Sequence, residues 1–145
     1  MVGRIMALDV GDVRIGVAVS DPLGILATPH SVVDAQPSEV AIQSIADLVR
    51  ELRVQYIVSG LPINLKGEEG PQAAKVRAFN EKLSAAIEVE VKTQDERFTS
   101  AVVERAMSQA GTKRKKRKQQ IDQLAAQQIL QTHLDRLSNE SETST

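Results

Sequence analysis

Three acidic positions along the chain are spaced so that each could place a carboxylate at the end of a secondary-structure element. Asp9 closes an apolar run, Asp95-Glu96 follows a run of alternating residues, and Asp122 begins a helical pattern. Clustered carboxylates repel one another and need compensating positive charge. The chain has no cysteine and its two histidines are far apart in sequence. The available ligands are therefore oxygens, which favour Mg²⁺ or Mn²⁺, and two such ions can drive hydrolysis of a phosphodiester.

Each acid also has a structural interpretation that involves no chemistry. The amides of the following turn can satisfy the carboxylate of Asp9, and Asp95-Glu96 can form a solvated turn. The positive end of a helix dipole favours an acid at the position of Asp122. The predicted metal site therefore depends on the fold bringing these acids together.

Positive charge is concentrated in one stretch of the chain. The formal net charge is −1, from 18 basic and 19 acidic residues, and without one run of six basic residues it is 12 − 19 = −7. Such a concentration is expected for contact with a polyanion, so we predict that the run is part of a mobile loop at about residues 110–118 that binds nucleic acid. The run consists of Lys113, Arg114, Lys115, Lys116, Arg117 and Lys118. Arg14 and Arg97 lie close to acids in sequence, and each either contacts a phosphate or neutralises a carboxylate.

The elements that must position these residues follow a mixed α/β pattern. An apolar run through Ile5 and Asp9 turns at Gly11-Asp12 and returns as a second apolar run, which is typical of a β-hairpin. Alternation along the first strand places Ile5, Ala7 and Asp9 on one face. Later strands are predicted over 24–33, 54–59 and 87–92, and helices from Pro37 and over 71–86. Three hairpin-joined strands followed by strand-helix-strand units predict a mixed five-stranded sheet with helices on its faces.

Two more helices are predicted after the last strand, over about 101–109 and 119–137. In the final helix, apolar residues spaced three or four apart, beginning with Ala126, form a stripe along one side. Asp122 lies at the N-terminal end of this stripe. The small residues Ala125 and Ala126 would let this helix approach the sheet closely, which could bring Asp122 towards Asp9. We predict a single domain over 1–137 and a disordered polar tail over 138–145.

Cellular context is constrained only weakly by the sequence. No basic segment followed by a long apolar one opens the chain, and no apolar run is long enough to span a bilayer, so we expect a cytoplasmic protein without membrane contact. No stretch identifies a subunit interface, and we expect a monomer or a weak homodimer.

Several sequence blocks, spread over nearly the whole chain, resemble the YqgF (RuvX) family. The resemblance implies a ribonuclease H-like fold and a metal-dependent endonuclease, either a Holliday junction resolvase or a nuclease that processes the 5′ end of pre-16S ribosomal RNA. It implies that Asp9, Glu96 and Asp122 are the catalytic and metal-binding acids. We choose Glu96 over Asp95 because the related resolvases have a Glu at the end of that strand. The blocks include Leu8-Asp9-Val10-Gly11, Gly60-Leu61-Pro62, Asp95-Glu96-Arg97 and Ile121-Asp122.

Two other functions remain open at this point. One is a non-catalytic RNA-binding factor for ribosome assembly with the same fold, in which the acids would be structural. The other is an ATP-binding domain, because the strand-hairpin-strand with Asp9 also resembles the phosphate-binding hairpin of sugar kinases and actin. Those enzymes close two such domains around the nucleotide, and this chain of 145 residues supplies one.

Overall fold

A mixed five-stranded sheet forms the centre of the fold, which we describe from a computed structural model covering residues 3–95 and 114–143. The strand order is β3-β2-β1-β4-β5, with antiparallel pairing among the first three and parallel pairing of β1 with β4 and of β4 with β5. The predicted mixed sheet is therefore confirmed. The strands are β1 (Arg4–Val10), β2 (Arg14–Ser20), β3 (Ala27–Asp34), β4 (Val54–Leu61) and β5 (Glu90–Asp95). The helices in the described residues are α1 (Ser38–Leu52), α2 (Pro71–Ala86) and α3 (Arg114–Thr143).

Alternating side chains of β1 point into two separate apolar cores on opposite faces of the sheet. Leu8 belongs to the core covered by α1 and α2, together with Val76 of α2. Ala7 belongs to the core covered by α3, together with Ala126 of that helix. We call these two sides the α1/α2 face and the α3 face. Helices therefore cover both faces, as the sequence predicted.

Helix α1 forms because its apolar residues recur at helical spacing. Ala41, Ile45 and Val49 are four residues apart and buried, so they line one side of the helix against the sheet. Arg53 caps the end of the helix: it adopts a left-handed φ of 54° and donates its backbone N–H to the Arg50 carbonyl oxygen. This tight ending returns the chain directly to β4, the strand beside β1.

Helix α3 is longer than the sequence predicted. It spans 114–143, so Arg114 to Lys118 belong to a helix and not to a mobile loop, and the predicted disordered tail is helical up to Thr143. The prediction was wrong here because residues 114–120 are all Lys, Arg or Gln, which are good helix formers. Lys113 and the predicted helix over 101–109 lie outside the described residues. No helix in the described part of the chain is long and apolar enough to cross a bilayer.

Candidate active site

Asp9 lies near the carboxyl end of the central strand β1, on the α3 face, and is half-buried. Its partner across the antiparallel ladder is Gly16 of β2, which has no side chain to cover the carboxylate. The hairpin closes just beyond it, where the Gly11 N–H donates a 3.0 Å hydrogen bond to the Arg14 carbonyl oxygen. A Cβ at Gly11 would lie 2.8 Å from that same oxygen, so the turn requires glycine. This tight turn fixes the strand end that carries Asp9.

Arg14 lies on the same face as Asp9 and next to it. Because Asp9 faces Gly16, Arg14 occupies the diagonal position, where side chains of neighbouring strands are about 7–8 Å apart. On its other side Arg14 pairs directly with Asp34, the last residue of β3. Arg14 therefore stands between two carboxylates at one end of the sheet, where its charge can offset their repulsion.

Asp34 was not predicted from the sequence to lie near these residues. The signal was present, because an acid closes the third strand as Asp9 closes the first. Whether Asp34 lies beside Arg14 depends on the register between β2 and β3, which shifts between Val17 and Ala18. A register that slips cannot be counted from the sequence alone, so the pairing of Asp34 with Arg14 had to be observed.

Asp95 ends β5, but it lies on the other face of the sheet. Its neighbour Gln94 is buried and donates a 3.0 Å hydrogen bond from its side-chain amide to the Ile129 carbonyl oxygen of α3. Gln94 therefore lies on the α3 face, and strand alternation places Asp95 on the α1/α2 face, opposite to Asp9. Glu96 and Arg97 lie outside the described residues.

Helix α3 carries Asp122 and runs towards the sheet end that holds Asp9. His133 is hydrogen-bonded to Tyr56 near the beginning of β4, whereas Ile129 meets Gln94 near the end of β5. Asp122 is seven residues before Ile129, so the helix axis continues about 10 Å further in the same direction. The side chain of Asp122 is outside the description. Within the described residues, no group of three or more metal-ligating side chains could hold an ion.

The basic residues Arg114 to Lys118 occupy the first turns of the same helix. They precede Asp122 by one to two turns, so the helix brings the basic run and this acid to the same end of the molecule. Their side chains are not described. Lys and Arg have good intrinsic helix propensity, but positive charges in the first turns are unfavourable for the helix dipole.

The architecture is that of the ribonuclease H-like resolvases. RuvC of Thermus thermophilus, in complex with Holliday junction substrate, matches with a TM-score of 0.56 and 13% identity over 93% of this chain and 96% of that chain. The fowlpox virus resolvase, in complex with substrate Holliday junction DNA, matches with a TM-score of 0.52 and 14% identity over 92% of this chain and 98% of that chain. At such identities the likeness establishes the fold alone, and it confirms the predicted ribonuclease H-like class.

Family membership follows from the sequence comparison. The family described as "RuvX: Holliday junction resolvase" matches residues 3–136, and the chain belongs to this family. A relative from Sulfurihydrogenibium sp. (strain YO3AOP1) is 47% identical over 96% of this chain and 94% of its own length. A relative from Chloroflexus aggregans is 46% identical over 93% of this chain and 95% of its own length. Both are named "Putative pre-16S rRNA nuclease", so the predicted family and enzyme class, a nuclease, are confirmed.

Proposed function

We propose that this chain is a metal-dependent endonuclease that cuts phosphodiester bonds in structured nucleic acid, using Asp9, Glu96 and Asp122. The observation that supports this most is the position of Asp9. Its half-buried carboxylate lies at the end of the central strand, on the face covered by the helix that contains Asp122. A carboxylate that is partly withdrawn from water is stabilised by a nearby cation.

The choice of Glu96 over Asp95 is supported by the alternation of β5. Asp95 is on the α1/α2 face, away from Asp9, whereas Gln94 is on the α3 face beside Ile129. Successive residues of a strand point to opposite faces. Asp95 is therefore the less suitable partner for Asp9, and we assign the metal-binding role to Glu96.

The donor set fits Mg²⁺ or Mn²⁺. The three proposed ligands are carboxylates, and the chain has no cysteine to favour a softer metal. Asp9, Glu96 and Asp122 would hold the ions, which when bound supply an activated water and stabilise the leaving oxygen. The hairpin holds Asp9 in place, and Arg14 limits the repulsion among the acids and can orient a substrate phosphate beside them.

Precursor 16S ribosomal RNA is the substrate that we propose. Relatives at 46% and 47% identity, over more than nine-tenths of this chain, carry a name that states this reaction. The junction-bound structures share only 13% and 14% identity, so Holliday junction DNA is the second candidate. Arg97 and the basic residues 113–118 would bind the phosphate backbone of either substrate. We further propose that the protein acts in the cytoplasm as a monomer or weak homodimer.

The test is a cleavage assay with purified protein, Mn²⁺ or Mg²⁺, and three substrates: a precursor 16S fragment, duplex RNA and four-way DNA. We expect metal-dependent cutting of the precursor fragment by the wild type, and binding without cutting by Asp9→Asn. The matched control is Asp47→Asn, since Asp47 is in α1 and pairs with Arg50 on the surface. Binding without cutting by the wild type, with either metal, would contradict the nuclease proposal and favour an RNA-binding assembly factor.

A further inference from the structure

A cavity of about 270 Å³ opens on the α1/α2 face, directly behind the strand end that carries Asp9. Its walls come from the β1-β2 hairpin, the start of α1 and the exposed side of α2. The lining residues that matter for charge are Asp12 of the hairpin and Lys75 and Lys82 of α2. The two lysines are seven residues apart, which is two helical turns, so they share one side of α2. The cavity is therefore a pocket edged by two cations.

The part of the chain that forms this cavity is acidic overall. Residues 3–95 contain nine Lys and Arg and thirteen Asp and Glu, which gives 9 − 13 = −4. Against that background the charged residues that line the pocket, Lys75, Lys82 and Asp12, give it a net charge of 2 − 1 = +1. Ser38, the first residue of α1, also lines the cavity, and no side chain caps that helix start, although Glu39 in the first turn offsets part of its positive dipole. An anion is therefore the favoured occupant.

The ion pair at the pocket is weak and exchangeable. Lys75 Nζ lies 3.3 Å from Asp12 Oδ1, and both side chains are more than half exposed. Exposed pairs of this kind contribute little to stability. A phosphate that enters the pocket can displace the Asp12 carboxylate from Lys75 and also contact Lys82. The fold does not depend on the ion pair that is lost.

The pocket adjoins the end of β1, the strand that carries Asp9. Val10 lines it and directly follows Asp9, so the pocket and the acid lie on opposite faces of the same strand end. The Gln72 side-chain amide approaches the Val10 carbonyl oxygen at 3.5 Å, which ties α2 to this strand. A nucleic acid strand that crosses the hairpin turn would reach both places.

We propose that this pocket binds a backbone phosphate of the substrate strand a short distance from the phosphodiester that is cut, through Lys75 and Lys82. This inference rests on the proposed nuclease function and adds one more phosphate contact, on the opposite face of the strand end from Asp9, to those proposed above. The pocket would fix the path of the strand over the hairpin, so that the scissile bond comes to Asp9.

The test is binding of a labelled RNA duplex, measured by fluorescence anisotropy in EDTA so that nothing is cut. The double variant Lys75→Gln/Lys82→Gln is expected to bind roughly tenfold more weakly at about 0.1 M salt, and the slope of log K against log salt should fall by about 1.5 to 2. The control double variant Arg50→Gln/Lys92→Gln removes the same charge elsewhere, because Arg50 pairs with Asp47 and Lys92 lies over the Tyr56 ring. It should change the slope little.

A third variant tests the same pocket by a gain of affinity. Asp12→Asn removes the carboxylate that competes for Lys75, and it should bind the duplex several-fold more tightly than Asp47→Asn, which makes the same charge change away from the pocket. If Lys75→Gln/Lys82→Gln gives the same slope of log K against log salt as the control double variant, the phosphate-binding role of the pocket is wrong, and the nuclease proposal is unaffected. Failure of the folded wild type to bind any nucleic acid would overturn the nuclease proposal as well.

Discussion

The side-chain amide of Gln94 donates a 3.0 Å hydrogen bond to the Ile129 carbonyl oxygen, and this contact joins β5 to α3. Gln94 is two residues before Glu96, and Ile129 is two helical turns after Asp122. This hydrogen bond thus connects β5, which directly precedes the proposed ligand Glu96, and α3, which contains the proposed ligand Asp122. It is buried, so it is less weakened by competing water than a surface contact would be.

Replacing Gln94 with Met keeps the shape of the side chain and removes this hydrogen bond. We expect the free energy of unfolding to fall by only about 1 kcal/mol, since the substitution also removes a buried amide oxygen that has no hydrogen-bond partner among the described residues. Cleavage should fall by roughly tenfold or more, because catalytic geometry tolerates little displacement. Denaturant unfolding and kcat measured on the same preparation check this. A loss of stability with unchanged kcat would mean that the contact serves the fold alone.

The hairpin after Asp9 should not tolerate a side chain at Gly11. An added Cβ would lie 2.8 Å from the Arg14 carbonyl oxygen, so Gly11→Ala must displace backbone, at a cost of about 1 to 3 kcal/mol. The control is Gly70→Ala, because a Cβ at Gly70 would meet nothing within 4 Å. Gly70→Ala should change the free energy of unfolding by no more than about 0.5 kcal/mol, beyond the small loss that comes from replacing the glycine that caps the start of α2. Equal thermal unfolding of the two variants would disprove the steric argument.

Stability should depend on pH through His133. Burial first, and then the charges of Lys92 and Arg136, hold the pKa of His133 below its ordinary value of 6.5. The unfolded chain therefore binds the proton more readily, so the stability that the neutral imidazole contributes is present above pH 6.5 and is lost as pH falls through the folded pKa. We expect His133→Gln to flatten the unfolding free energy between about pH 7 and 5. A wild-type curve that rises on acidification through this range would contradict the assignment.

The basic residues 113–118 should contribute affinity that depends on salt. Replacing them with Gln is expected to weaken binding of RNA and DNA alike and to flatten its salt dependence, because the run would neutralise backbone phosphates and read no sequence. Glutamine preserves helix propensity, so α3 should persist. Circular dichroism controls for the helix while anisotropy measures binding. Undiminished binding at low salt would exclude the run as a substrate contact.

Much of this fold could be predicted from local patterns. The alternation of β1 predicted that Ile5, Ala7 and Asp9 share one face of the sheet. In the structure, Ile5 and Ala7 lie in the core on the α3 face, whereas Leu8 lies in the core on the other face. The same alternation, followed along Val91 to Asp95, would have placed Asp95 on the α1/α2 face without any resemblance to a family. Patterns of period two, set by backbone geometry, transfer directly from sequence to structure.

Relationships between distant segments could not be predicted in the same way. The hydrogen bond from Gln94 to Ile129 joins residues 35 apart, and the pairing of Arg14 with Asp34 follows a register shift. The N-terminal boundary of α3 was misplaced because a dense charge run suggested a loop, whereas the helix propensity of its residues favoured a helix. Each case depends on tertiary packing or on a balance of small energies.

Mn²⁺ binding, measured by calorimetry in the absence of nucleic acid, tests the proposed metal site most directly. Asp9→Asn, Glu96→Gln and Asp122→Asn should each weaken Mn²⁺ binding by roughly tenfold or more, since each removes a proposed ligand of one site. The control Asp95→Asn, adjacent to Glu96 in sequence, should bind Mn²⁺ like the wild type, because Asp95 is on the opposite face from Asp9. Wild-type affinity in all three ligand variants, or loss of binding in Asp95→Asn with Glu96→Gln unaffected, would contradict the proposed metal site.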